Sequence, residues 1–292
     1  MSRSHADRVV EAGLGLTALL SGGTLLLIVW FLFEGAKPAL DFGMLGHLFG
    51  DGKWQPGSVR DPQFGVMSML IGSLLVTGLS ILLAAPAGVL SAIFLSFYSP
   101  ARLARGHRRL LELLAAVPSV VFGFWGLTVL VPAIDRLHPP GQSLLAAALV
   151  LSLMILPTIA LTSVSALQAV PVAQLQAAAA LGIGRPRLIW SVVLPAAWNG
   201  VGAGILLAAA RAIGETMAVM MVCGNIAQIP ASLFDPVRPV TATIALEMGY
   251  ASAAHKSLLY AAGLLLVLVT GALICGMAFR RQTETSLPRS WS

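Results

Sequence analysis

Long apolar stretches dominate the chain, and short polar segments rich in arginine separate them. A helix needs about 20 mostly apolar residues to cross the hydrocarbon core of a bilayer. Six segments meet that length: Ala12–Phe33, Gly65–Phe97, Leu111–Val131, Ser143–Leu167, Val201–Val222 and Ser257–Phe279. Each is expected to form one transmembrane helix. Arg3 and Arg8 before the first segment resemble the start of a signal peptide. The apolar run is longer than such a peptide carries and no small-residue cleavage site follows, so a retained first helix is expected. The second segment exceeds one crossing and contains Pro86, which predicts a kink or an extension beyond the bilayer.

Charge orients these helices. With the N-terminus inside, the inner segments hold Arg3, Arg8, Arg102, Arg105, Arg108, Arg109, Arg185, Arg187 and the C-terminal arginines, whereas most acids fall outside. Both termini are therefore expected in the cytoplasm. The loop Glu34–Phe64, with Trp54-Gln55-Pro56, is then external, and the loop Gln168–Ala197 is internal.

Composition agrees. Hydrophobic residues make up 57% of the 292 residues and charged ones 10%, against about 25% charged in a soluble domain. That excludes an ordinary soluble fold and predicts an all-α membrane protein. The net charge of +6 sits between apolar stretches without interleaved aromatics. This favours lipid headgroups over nucleic acid as its counterpart. Cys223 and Cys275 fall near opposite membrane faces and have no companion ligands, which argues against a disulfide or a metal site. His5, His47, His107, His138 and His255 fall in tails or loops, so no intramembrane histidine relay is expected. Neither G-x-S-x-G nor H-E-x-x-H occurs. The nearest look-alike of a phosphate-cradling loop, at Gly52-Lys53, continues with Trp54 where Ser or Thr is required. No ATPase site or other catalytic centre is expected in this chain, and no cofactor.

Two segments carry candidate function. The inner loop reads PVAQLQAAAALGIGRPRLIWSVVLP from Pro171 to Pro195. Pro171 suits a helix start, Val172–Leu181 is good helix sequence, and Gly182 is placed as a C-cap. Pro186 opens a second helical piece expected to stop near Leu194-Pro195. This is either a bland interfacial connector or a rigid knob for a cytoplasmic partner. The other segment is Arg211-Ala-Ile-Gly-Glu215 inside the fifth apolar stretch. A charge at the centre of a span costs about 2.5–3.5 kcal/mol, so two need a reason. At i, i+4 they share a helix face and can neutralise each other. Alternatively they line a pathway, Arg211 forking hydrogen bonds to an oxyanion and Glu215 accepting from a protonated one, a feature of hydrogen phosphate that sulfate lacks. Small residues around them, from Gly200 to Gly214, permit close helix approach or leave room for a ligand.

The inner loop resembles the cytoplasmic "EAA" loop of ABC-importer permeases, with Gln176, Ala177, Ala178, Gly182 and the Val-Val-Leu-Pro195 end at the matching positions. Gln176 stands where that family usually has Glu. RAIGETMAVMMVCGN (Arg211–Asn225) and LELLAAVPSVVFGFWGLTVLVP (Leu111–Pro132) resemble signatures of phosphate-specific ABC-importer permeases. The outer Trp54-x-Pro56 and Phe64-Gly65 are more similar to the C-type than the A-type subunit. The resemblance covers about Gly65 to Phe279. It implies a type I, MetI-like permease fold in the bacterial inner membrane, arranged as residues 1–64 (tail, first helix and outer loop), 65–280 (permease domain, coupling loop near 168–197) and 281–292 (tail). It implies an A-type permease partner, two cytoplasmic ATPase subunits that use the ATP, and a phosphate-binding protein outside, for which the Trp54 region is a candidate docking surface. Arg211 and Glu215 would line the substrate pathway, and the EAA-like loop would couple to the ATPase. The rivals are a permease for molybdate or sulfate, a stand-alone transporter or channel, and an intramembrane lipid-modifying enzyme.

Overall fold

In a computed structural model of the chain, the described residues are 5–41, 54–55 and 63–285. The helices are α1 (His5–Asp41), α2 (Met67–Ile93), α3 (Ala101–Ala116), α4 (Ser119–Trp125), α5 (Val131–Asp135), α6 (Leu144–Gln168), α7 (Val172–Ala180), α8 (Arg185–Leu188), α9 (Leu194–Ile213), α10 (Met217–Val222), α11 (Val240–Glu247) and α12 (Ala253–Thr285). Between α1 and α2 the strands β1 (Trp54–Gln55) and β2 (Gln63–Phe64) pair antiparallel, Trp54 opposite Phe64. Five helical stretches are long and apolar enough to cross a membrane, and a bent pair makes a sixth. The expected all-α, roughly six-span architecture is the one observed.

Its boundaries differ in instructive ways. The helix α1 runs to Asp41, eight residues past the expected end at Phe33, and a 2.6 Å Lys37–Glu34 ion pair at i, i+3 supports the extra turns. The rest of the expected outer loop lies outside the described residues except Trp54, Gln55 and Gln63–Phe64. The expected span Leu111–Val131 is not one straight helix. The segment α3 meets α4–α5 at 94°. Pro118 biases the preceding Val117 to an extended backbone (ψ 128°) and cannot donate to the preceding turn, so the helix must stop there.

Prolines also shape three single π turns, Phe94–Tyr98, Gly126–Leu130 and Ile189–Val193. Each ends two residues before a proline: Pro100, Pro132 and Pro195. At Pro132 and Pro195, where the helix continues, widening it by one residue lets the carbonyl that would strike the proline ring move aside, whereas at Pro100 the helix has already ended, with Ser99 extended (ψ 133°). At Pro195 the result is continuity. The second piece of the inner loop does not stop at Leu194-Pro195, and Arg185–Ile213 forms one 29-residue span candidate.

The centre of the bundle is α6, two-thirds buried, while the apolar window of α1 is wholly exposed and suited to lipid. One face of α6 packs on α2 and another on α9. The α9 contact is close because Gly200 and Gly204, one turn apart, lie against Ala166 and Thr162 of α6, where a Cβ would collide with those side chains. Three apolar clusters fill the interior. One lies at the end holding the hairpin, around Trp54, Val66, Met69 and Leu258. The middle one gathers α2, α4, α6 and α10. The last, around Ile93, Leu167, Ile189 and Val193, anchors the inner loop.

Candidate functional site

At one end of the bundle, α7, a glycine turn and α8 protrude. Helix α7 closes with paired capping bonds: Gly182 N–H donates to Ala179 O (2.9 Å) and Ile183 N–H to Ala178 O (3.1 Å). Gly182 sits at φ +70°, a left-handed conformation that glycine adopts without cost. Gln176, Ala177, Gly182 and Pro195 are exposed, and Ala178 is buried. Val172 and Leu181 are exposed apolar residues on the same projection. Of the helix-turn-helix expected over Pro171–Pro195, the first helix and glycine turn are present and the second piece runs on into α9, the projection being seated through Leu175 and Leu188 on the cluster around Ile189.

The structure does not place Arg211 and Glu215 on one helix. Arg211 is in the last turn of α9, Glu215 lies in the break at 214–216, and α10 starts at Met217. Gly214, which contributes no side chain to hold the helix, marks the break. The shared-face ion pair, one of the two alternatives for these residues, is absent. Among the described residues the Arg211 guanidinium has no hydrogen-bond or ion-pair partner, and it is exposed on this chain. Glu215 is held instead by backbone. Its Oε1 accepts from Ala218 N–H at the start of α10 (3.2 Å), and its carbonyl accepts from the Thr241 hydroxyl (2.9 Å). Its Oε2 has no partner among the described residues. Glu215 borders a small cleft with Ser73, Thr77 and Thr241, whose free space of about 10 Å³ is room for about one water molecule. The cleft thus sets one carboxylate and three hydroxyl side chains among apolar ones such as Ile213 and Val219, and Arg211 is not part of its lining. Sequence reading missed Ser73 and Thr241, which carry no pattern that separates them from other hydroxyls in apolar helices.

Trp54 is not an exposed docking residue: it is buried, and its Nε1–H donates to Glu247 Oε2 (2.8 Å). Glu247 also receives His255 Nε2 on Oε2 (2.8 Å) and pairs through Oε1 with Arg238 Nη2 (2.7 Å). His255 is therefore a buried helix residue of α12 and not a loop histidine. His107 likewise lies in α3, bonded to Ser91 of α2.

Residues 84–280 match the family model of the binding-protein-dependent transport system inner membrane component. The chain is 40% identical to the probable ABC transporter permease protein YqgH of Bacillus subtilis, over 74% of this chain and 71% of that one. It is 35% identical to the phosphate transport system permease protein PstC of Pasteurella multocida, over 76% and 75%. With PstC of Xylella fastidiosa (strain 9a5c) it shares 30% identity over 89% and 83%. Among solved structures, a bacterial alginate ABC transporter matches at TM-score 0.59 and 14% identity over 94% of this chain and 98% of that one. The inward-facing MetNI methionine ABC transporter matches at TM-score 0.58 and 17% identity over 75% and 94%. These two share the fold alone. The chain therefore belongs to the binding-protein-dependent transport system inner membrane components and is a multi-pass permease subunit of an ABC importer.

Proposed function

We propose that this permease imports inorganic phosphate, forming half of a translocation pathway whose other half is an A-type permease. Two cytoplasmic ATPase subunits supply ATP hydrolysis, a phosphate-binding protein delivers the anion from outside, and this chain itself binds no cofactor. The membrane is the bacterial inner membrane, and both termini face the cytoplasm, as the arginine distribution favours. The knob of α7–α8, with Gln176, Ala177, Ala178 and Gly182, and Pro195 at the head of α9, couples to the ATPase.

The observation that carries the reading is the contrasting placement of two charges in the RAIGETMAV stretch. Arg211 has no partner among the described residues and is exposed on this subunit, a placement that suits a residue facing a second permease. Glu215 has one carboxylate oxygen tied to Ala218 N–H and the other free to accept from the P–OH of hydrogen phosphate. Relatives named as phosphate transport permeases share 30–35% identity with this chain over most of its length. Uptake of labelled phosphate by phosphate-starved cells lacking the chain tests this. Wild type should restore uptake, Arg211→Gln should abolish it at equal membrane levels, and excess sulfate or molybdate should not compete. Failure of wild type to restore uptake leaves a permease for another substrate, and competition by sulfate or molybdate points to that oxyanion. Normal uptake by the variant removes Arg211 from the pathway.

A further inference from the structure

The most heavily bonded charge among the described residues lies outside the cleft. Glu247, the last residue of α11, has a side chain only 5% exposed. Its two oxygens serve three donors from three different segments: Arg238 just before α11, Trp54 of β1 and His255 of α12. A carboxylate only accepts, so His255 must present an N–H at Nε2. The Trp54 indole and the His255 ring also pack edge to face, 5.5 Å apart. Arg238 is 14% exposed, and its Nε is buried without a partner, so Glu247 is its one charged contact among the described residues. Removing that carboxylate would strand a buried cation.

The helix that ends in this hub begins at the cleft. Val240 N–H donates to Ser73 Oγ (3.0 Å), and the next residue, Thr241, donates its hydroxyl to the carbonyl of Glu215 (2.9 Å). Glu215 sits between two helices, where its carbonyl has no place in a regular ladder, and Thr241 supplies the partner. Six residue steps, about 9 Å of helix, lead from Thr241 at the cleft to Glu247 in the clamp.

We propose that Glu247 is a positioning residue for Glu215: by fixing α11 against Arg238, Trp54 and His255, it sets where Thr241 holds the Glu215 backbone. The buried Trp54 makes the β1–β2 hairpin part of the same unit, so a load on the hairpin reaches Glu215 through α11. The proposal rests on the reading of Glu215 as a pathway residue.

The test uses the whole transporter, this chain with its partner subunits, in liposomes with phosphate-loaded binding protein. The quantity read is labelled phosphate imported per ADP formed. A merely structural Glu247 would lower both rates together and leave the ratio alone. The proposal expects Glu247→Gln to lower the ratio at least about five-fold while ATP hydrolysis continues. Thr241→Val should reproduce the loss, and Trp54→Phe, which removes one donor of three, should fall between. The double variant Glu247→Gln with Thr241→Val should be no worse than the more severe single one, because both cut one path. An unchanged ratio in Glu247→Gln, or independent additive losses, would overturn the proposal. If Glu247→Gln fails to assemble, Trp54→Phe and Thr241→Val decide by the same ratio. A wild type that hydrolyses ATP without importing phosphate would overturn the phosphate reading, and the ratio measured with molybdate or sulfate would still decide the role of Glu247.

Discussion

The turn at Gly182 carries a perturbation whose size can be worked out in advance. At φ +70° the residue is left-handed, and nothing lies within 4 Å of where a Cβ would stand. Replacing it therefore tests the backbone alone, with no collision to confuse the result. An L-residue in that conformation costs about 1–2 kcal/mol, with Asn less because its side chain bonds locally. The turn is exposed, and its two capping bonds, from Gly182 and Ile183, hold the end of α7 together with the Leu181 N–H bond to Ala177 O. A penalty of this size should raise the opening of that end about five- to thirty-fold. Hydrogen exchange of the Ile183 amide in the assembled transporter reads this directly, and Gly182→Asn, Gly182→Ala and Gly182→Val should accelerate it in that order. If α7–α8 transmits the ATPase stroke, phosphate uptake at equal membrane levels should fall in the same order while the ATPase subunits stay bound. Fast exchange with unaltered uptake in Gly182→Val would refute the view that a rigid turn is needed for coupling. Unaltered exchange would refute the capping geometry itself.

Three further outcomes follow from packing. Gly204→Leu places a side chain where Thr162 already stands; overpacking of about 1–3 kcal/mol or more should lower the thermal midpoint in detergent, whereas Gly106→Leu, with open space around it, should not. Pro118→Ala restores a donor and frees Val117 from its extended bias, so the angle between α3 and α4 should relax from 94°, read as a longer distance between spin labels at Arg109 and Thr128. Cys223 is fully buried and Cys275 exposed, so a maleimide should label the folded chain at Cys275 alone, and equal labelling of both would displace Cys223 from the core.

What was legible in the sequence was what one dimension records. Six spans could be read because the apolar length a membrane demands is a property of consecutive residues. The α7 cap could be read because a left-handed helix end selects glycine at one position, Gly182. The break after Ile213 was harder. Arg211, Ala212 and Ile213 all suit a helix, and only Gly214 interrupts the pattern, so an i, i+4 pair seemed natural where the chain in fact turns. Pro118 was in plain view and still read as part of a straight span, because a proline kinks or ends a helix according to whether neighbours satisfy the freed carbonyls. At Pro132 and Pro195 the helix runs on through a π turn, whereas after Val117 the chain turns away. Least legible was the hub at Glu247, whose partner Trp54 is 193 residues distant. Its one local sign is an acid ending the short apolar run Val240–Leu246. In the sequence His255 reads as a loop residue, and no local pattern links it to Glu247 or Arg238. A carboxylate placed beside apolar helix with arginine, histidine and tryptophan around it is instead the arrangement by which a membrane protein keeps a charge at all, and that is the reason to look there for what sets the cleft.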